Sequence, residues 1–97
     1  MSHLIRDVRA RLDNPKLPVV VGETGNMNNP ELRAAQRAGC EQAGVPKHTT
    51  FVPTSAFLRA AKDSPNCGHG HHWFGNAESY LLIGDALGAA LVEMLPK

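Results

Sequence analysis

The sequence predicts an α/β fold in which helices and strands alternate in the order αβαβα around a short parallel sheet. Two short segments that have the pattern of strands, residues 17–21 and 49–53, are each preceded and followed by a helical pattern. Strands that are separated by a helix usually pair in parallel through a crossover connection. The length of 97 residues suits a single small domain over residues 1–97.

Composition and charge argue against several classes of function. The chain is 42% hydrophobic and 20% charged, as is usual for a globular protein. A net charge of +1 gives no electrostatic reason to expect nucleic acid or a membrane surface as a partner. No apolar run has the length of a membrane span or a signal-peptide core. Two cysteines are too few for a disulfide framework, so we expect a cytoplasmic protein.

The first helix and strand follow from periodicity. Residues 3–13 place their larger apolar side chains on one stripe, which predicts an amphipathic helix. The charged residues of this segment, Arg9 among them, are expected on the solvated face. Asn14-Pro15 ends the helix. The β-branched run at residues 17–21 predicts a buried strand that stops at a turn-rich loop, residues 22–26.

The second helix has a strong start signal. Asn29 is the predicted N-cap and Pro30 the first helical residue, and this helix should run to about Ala43. Residues 49–53 predict the second strand, and residues 56–62 a helical turn.

The last helix follows a histidine-rich loop at residues 63–76. Asn76 is its predicted N-cap, and apolar side chains recur at helical spacing as far as Met94. Gly84 and Gly88 lie four residues apart, which predicts close packing of this face against a neighbouring element.

Two short parallel strands do not form a self-sufficient sheet, because parallel sheets are normally larger and covered on both faces. Either further strands come from another chain, or this chain is part of a larger α/β domain. We favour the larger domain as the origin of the fold, and we expect the chain to form a homo-oligomer that completes its sheet.

Residues 67–80 concentrate the reactive side chains, with three of the five histidines and the only Trp. A histidine held on a loop at the active edge of a sheet can serve as a general base. His72 fits this role best, because it directly precedes Trp73 and the capped helix, which would fix its position. Trp73 is a candidate substrate contact. Exposed loop histidines without a function are the competing interpretation.

Metal binding is the rival hypothesis for the same loop. Cys67, His69, His71 and His72 offer ligands suited to zinc or copper. Their spacing is tighter than in the usual structural zinc site, which joins two separated ligand pairs. We therefore expect no cofactor and keep metal binding as the alternative.

The loop at residues 22–26 leaves the carboxyl end of the first strand, where open α/β sheets place their ligands. Glu23, Thr24 and Asn26 are therefore candidate substrate-binding residues, with a plain turn as the competing interpretation. A nucleophile is harder to find, because no serine lies in a Gly-x-Ser-x-Gly setting. Ser55, just past the second strand, is the least implausible serine.

Five blocks of sequence recur in an order that resembles the C-terminal part of the sialate O-acetylesterase-like carbohydrate esterases, a branch of the SGNH hydrolase superfamily. The match covers about residues 17–95, and its most specific piece is the His-aromatic block followed by Asn-Ala-Glu-Ser-Tyr. The blocks are residues 17–25, 32–36, 51–54, 72–80 and 83–88.

The resemblance implies part of a flavodoxin-like three-layer α/β/α unit that deacetylates sugars or other small esters with a Ser–His–Asp type mechanism. His72 matches the family's catalytic base, and Gln36 matches a glutamine that we expect to be structural. The family usually has Asp three residues before this histidine, where this chain has His69, so His69 or Asp63 would orient the base.

The blocks that carry the family's nucleophilic serine are absent from this sequence. We therefore expect the chain to resemble the last third to half of such a domain and to show little or no esterase activity alone, since a base without a nucleophile does not carry out acyl transfer. The alternative is a non-enzymatic, self-associating or metal-binding small protein that uses the Cys67, His69, His71 and His72 loop.

Overall fold

The computed structural model describes residues 1–25, 29–42 and 44–97. Within these residues the predicted αβαβα order is confirmed. The elements are α1 (Ser2–Arg11), β1 (Val19–Gly22), α2 (Pro30–Glu41), β2 (Thr49–Val52) and α3 (Ala77–Met94). Short 3-10 turns over Ser55–Phe57, Ala61–Asp63 and Gly70–Gly75 connect β2 to α3.

The two strands pair in parallel, as the sequence predicts, with Val19 opposite Thr49 and Gly22 opposite Val52. Both carboxyl ends therefore lie at the same edge of the sheet. β2 stops at Val52 because Pro53, which follows it, has no N–H to continue the ladder. The protein is thus a mixed α/β chain with a short parallel sheet.

Successive residues of β2 contact different helices. The Thr50 hydroxyl lies 3.2 Å from the Met94 sulfur near the end of α3. The next residue, Phe51, stacks under the Arg37 guanidinium of α2, whose carbon lies 4.7 Å from the ring centroid. α3 packs against both strands, and it begins beyond the carboxyl end of β2 and ends near its start.

Arg9 is buried, so its predicted place on a solvated face is wrong. Its side chain is only 6% exposed and joins the starts of both strands. The guanidinium donates to the carbonyls of Leu17 at 3.0 and 3.1 Å and of His48 at 2.9 Å, and to the Thr49 hydroxyl at 3.0 Å. A longer contact of 3.5 Å reaches the Val45 carbonyl. Arg9 lies inside because these acceptors converge on it.

The buried stripe of α1 differs from the predicted one. Ile5 is buried as expected, but the other members of the apolar stripe are exposed: Leu4, Val8 and Leu12. The buried residues are Ser2, Ile5 and Arg9, which recur at helical spacing on a different face. The buried face of α1 is therefore the one that brings Arg9 to the starts of the two strands.

The predicted close packing at Gly84 and Gly88 is wrong within the described part of the chain. No atom there lies within 4 Å of where a Cβ would stand on either glycine. An open groove of about 570 Å³ runs along this face of α3. Several large apolar side chains of the helix are also exposed: Tyr80, Leu81, Leu91 and Val92.

The buried apolar core is small, as expected for a short chain. Its members among the described residues are Ile5, Cys40, Val45, Val52 and Trp73. None of the described helices combines the length and apolar character needed to cross a membrane.

Candidate functional site

The histidine loop is closed on itself by backbone hydrogen bonds. The Asn66 N–H donates to the Phe74 carbonyl at 2.9 Å, and the His69 N–H donates to the Asn66 carbonyl at 2.9 Å. The His69 carbonyl in turn accepts from the N–H groups of His72 at 3.1 Å and Phe74 at 3.0 Å. The backbone that carries His72 is therefore fixed by bonds within the loop itself.

Trp73 anchors this loop in the core. Its side chain is 6% exposed, and both Trp73 and Phe74 adopt a left-handed backbone with φ of 54°. Bulky residues rarely adopt this conformation, so packing must hold them there against local strain. The indole has almost no exposed surface with which to contact a substrate, so Trp73 occupies the place of a core residue.

The loop is tied to the carboxyl edge of the sheet through the start of α3. Asn76 caps the helix as predicted, with its side-chain oxygen 3.2 Å from the Ser79 N–H. The Asn76 amide also donates to the Ser64 hydroxyl at 3.0 Å. The fully buried Ser79 hydroxyl donates to the Phe57 carbonyl at 2.7 Å, in the turn that follows β2.

The imidazoles of the loop lie close together on the surface. The rings of His71 and His72 are 4.3 Å apart between centroids, and the His69 ring lies 6.5 Å from that of His72. Among the described residues, neither the His69 imidazole nor the Asp63 carboxylate makes a hydrogen bond or ion pair with the His72 side chain. The Tyr80 hydroxyl donates to the His72 carbonyl at 2.7 Å, so His72 is held by its backbone.

The metal-binding alternative has no preformed ligand set. In the described part of the chain, no group of three or more His, Cys, Asp or Glu residues converges closely enough to hold an ion. Cys67 is an exposed free thiol, while Cys40 is buried on α2. As described, Cys67, His69 and His71 are thus close in sequence without forming a group of three converging ligands.

Glu23 ties the carboxyl ends of the two strands together. Its carboxylate accepts from the Ser55 hydroxyl in a short hydrogen bond, from the Ser55 N–H at 3.2 Å and from the Thr54 N–H at 3.4 Å. The buried Thr54 hydroxyl donates back to the Glu23 carbonyl at 3.0 Å. Arg33 of α2 forms an ion pair with the carboxylate at 3.9 Å. Sequence reasoning missed this cluster, because its partners lie far apart in the chain.

The rest of the loop after β1 is held by α2. The Thr24 N–H donates to the Gln36 side-chain oxygen at 2.9 Å, and Arg33 donates to the Gly25 carbonyl at 3.1 Å. Gln36 therefore has a structural contact. Asn26, the third predicted substrate-binding residue, lies outside the described residues.

The surroundings of Glu23 make it a weak base. Burial raises the pKa of Glu23, but the hydrogen bonds from Ser55 and Thr54 and the Arg33 charge outweigh burial and hold the pKa below its ordinary value of 4.5. A general base works best with a pKa near the operating pH. The Ser55–Glu23 pair is thus suited to joining the strands and not to activating the Ser55 hydroxyl.

We expect Glu23 to make the free energy of unfolding dependent on pH in the acidic range. Because its folded pKa is depressed, its contribution is present above the unfolded pKa and is lost as the pH falls through the folded pKa. Glu23→Gln should therefore be less stable than the wild type near about pH 6, with a difference that shrinks towards about pH 3. Urea unfolding across this range measures it. Glu93 is an exposed glutamate on α3, and the control variant Glu93→Gln should keep the wild-type pH dependence. An unchanged pH dependence in Glu23→Gln would contradict the role of Glu23 in joining the ends of the two strands.

No protein-family model, curated protein or solved structure matches this chain.

Proposed function

We propose that this chain is a segment of an SGNH-type carbohydrate esterase unit and supplies the catalytic base, His72, for hydrolysis of acetyl esters on sugars or other small esters. The observation that carries the proposal is the position of His72. It is exposed, on a loop whose backbone is fixed by hydrogen bonds, and the loop is tied through Ser79 to the turn after β2. This is the edge at which parallel α/β sheets bind ligands.

In a complete site, His72 would take the proton of a serine hydroxyl as its oxygen attacks the ester carbonyl, and would give that proton to the leaving sugar hydroxyl. Water would then hydrolyse the acetyl-serine with His72 again as base. Among the described residues, no serine hydroxyl donates to His72, and the Ser55 hydroxyl is bound to Glu23. The nucleophilic serine and the carboxylate that orients the His72 imidazole therefore belong to another segment or chain. The chain alone then has little or no activity.

The proposal includes the three-layer α/β/α arrangement of the superfamily. Its support comes from β2, since successive residues of a strand point to opposite faces of the sheet. Thr50 contacts α3, while Phe51 contacts α2 and Thr49 contacts Arg9 of α1. Such contacts are those of a sheet with helices on both faces.

The test compares this chain with a chain extended through the reading frame that precedes it in the genome, using p-nitrophenyl acetate. The extended chain should turn over, and His72→Ala should lower its kcat/KM by at least about 100-fold, because a positioned base contributes that much. His71→Ala is the matched control and should stay within about twofold, since its ring is a neighbour of His72 without the same role.

Three outcomes would contradict the proposal. One is turnover by the 97-residue chain alone that His72→Ala abolishes, because a nucleophile would then lie within it. Another is equal loss in the His71 and His72 variants. The third is a genomic sequence upstream of this chain that contains no open reading frame with a Gly-x-Ser block.

A second candidate function is self-association, favoured by the exposed apolar face of α3. Two copies could bury this face against each other, since isologous contacts are the commonest in oligomers. Leu81 is 70% exposed on this helix. Light scattering should give a dimer mass for the wild type and a monomer mass for Leu81→Glu, with Leu58→Glu, an exposed loop leucine, still dimeric. A monomeric wild type would rule it out.

A further inference from the structure

A second concave surface lies at the opposite end of the sheet from the histidine loop. It is a groove of about 530 Å³ between the last turn of α1 and the segments that lead into β1 and β2. The volume falls within the roughly 300–1,000 Å³ of pockets that hold small ligands. The residues that define its chemistry are Arg9, Pro15, Lys16, Pro46, Lys47 and His48.

The groove is cationic. Arg9, Lys16 and Lys47 contribute three positive charges, and no acidic residue is among the described residues that line it. Arg9 is buried with backbone carbonyls and a hydroxyl as its partners, and it makes no ion pair with a carboxylate in the described chain. Carbonyl groups accept hydrogen bonds from the N–H groups of a guanidinium but do not neutralise its positive charge. An anion in the groove would therefore be attracted by positive charges that have no counterion in the described chain.

The groove also has apolar walls. Pro15 and Pro46 contribute ring surface, and the stems of Lys16 and Lys47 add methylene groups while their ammonium groups stay in water. A bare inorganic ion would leave this surface exposed. A ligand with a compact apolar body and a charged head matches both features.

His48 adds an unsatisfied group at the same place. Its backbone is left-handed, with φ of 64°, and its Nε2 is buried without a hydrogen-bond partner. Buried polar atoms are nearly always paired, so such an atom calls for an explanation. A turn of the imidazole towards the groove would bring Nε2–H to a ligand oxygen, and left-handed strain is typical of residues at ligand sites.

We propose that this groove binds a small organic anion, with a carboxylate or phosphoryl head between Lys16, Lys47 and Arg9 and a compact apolar body against Pro15 and Pro46. The site lies at the amino ends of the strands, whereas Glu23 and the histidine loop lie at the carboxyl edge. The inference is therefore independent of the proposed esterase role.

The test is a titration of the ¹⁵N-labelled chain with phenyl phosphate, benzoate and neutral phenol, followed by amide chemical shifts. Phenyl phosphate or benzoate should give saturable shifts at Lys16, Val45, Lys47 and His48, and phenol should not saturate at the same concentrations. The tighter of the two anions identifies the head group, and either result supports the proposal.

The double variant Lys16→Gln/Lys47→Gln should weaken binding by at least about tenfold, because it removes two of the three charges without touching Arg9. Lys62→Gln/Lys97→Gln removes the same charge outside the groove and should leave the affinity within about twofold. Equal weakening by both double variants, saturation by phenol, or shifts that map away from the groove would each overturn the proposal, as would no binding of either anion.

Discussion

Arg9→Ala should lower the free energy of unfolding by about 3 kcal/mol, because it removes a buried side chain together with its hydrogen bonds to part-buried acceptors at the starts of both strands. The carbonyls of Leu17 and His48 and the hydroxyl of Thr49 all accept from this one guanidinium. A small domain is stable by only about 5–15 kcal/mol in total. Urea unfolding followed by circular dichroism measures the loss.

Two further variants serve as controls. One tests the loss of a different arginine from the same helix, and the other keeps the positive charge but not the guanidinium. Arg11→Ala removes an exposed arginine from the same helix and should change stability by less than about 0.5 kcal/mol. Arg9→Lys keeps the charge but loses the planar fork, so it should recover only part of the stability. If Arg9→Ala were as mild as Arg11→Ala, the hydrogen bonds between α1 and the strand starts would not contribute to stability.

Trp73→Ala should lower the free energy of unfolding by about 4 kcal/mol, since truncation of a buried Trp removes its burial and leaves a cavity. The effect should extend to the histidine loop, because Trp73 and Phe74 hold their left-handed backbone only while the indole is packed. The His72 amide should then lose protection from hydrogen exchange, as its bond to the His69 carbonyl opens.

Leu4→Ala is the control for truncation of an apolar residue, since Leu4 lies on α1, is 65% exposed and should cost less than about 0.5 kcal/mol. Trp73→Phe should recover part of the loss, because a smaller ring fills part of the cavity. A full loss of His72 protection in Leu4→Ala, or none in Trp73→Ala, would show that the indole does not anchor the loop.

The elements that could be predicted from the sequence are those whose causes are local. Asn29 and Asn76 cap α2 and α3 as expected, with side-chain oxygens that accept from the N–H groups of Leu32 and Ser79. Such caps depend on residues two or three positions away. The strands were also predicted from short β-branched runs, although β1 begins at Val19 and reaches Gly22.

The rotation of α1 could not be predicted, because it depends on distant partners. Periodicity placed Arg9 in solvent, whereas acceptors from Leu17, His48 and Thr49 draw it inside. No local pattern marks a buried arginine, since its burial requires partners that only the folded chain brings together.

The candidate site was predictable in composition but not in geometry. The density of His, Gly and Trp marked residues 67–80 as the candidate site, and the structure adds that backbone hydrogen bonds connect Asn66, His69, His72, Phe74 and Asn76. The sequence did not reveal the burial of Trp73 or the bond between Glu23 and Ser55, since each depends on how distant segments meet.

The two-stranded sheet has a consequence for behaviour at high concentration. In the described chain both strands are edge strands, and each presents a row of outward N–H and C=O groups to which a stray strand could add. Pairing of this kind has no natural end point and leads towards fibrils. Pro18 directly precedes β1 and Pro53 directly follows β2, and neither can donate to a ladder. These two prolines therefore limit the segment with which another strand could pair to the four residues of each strand.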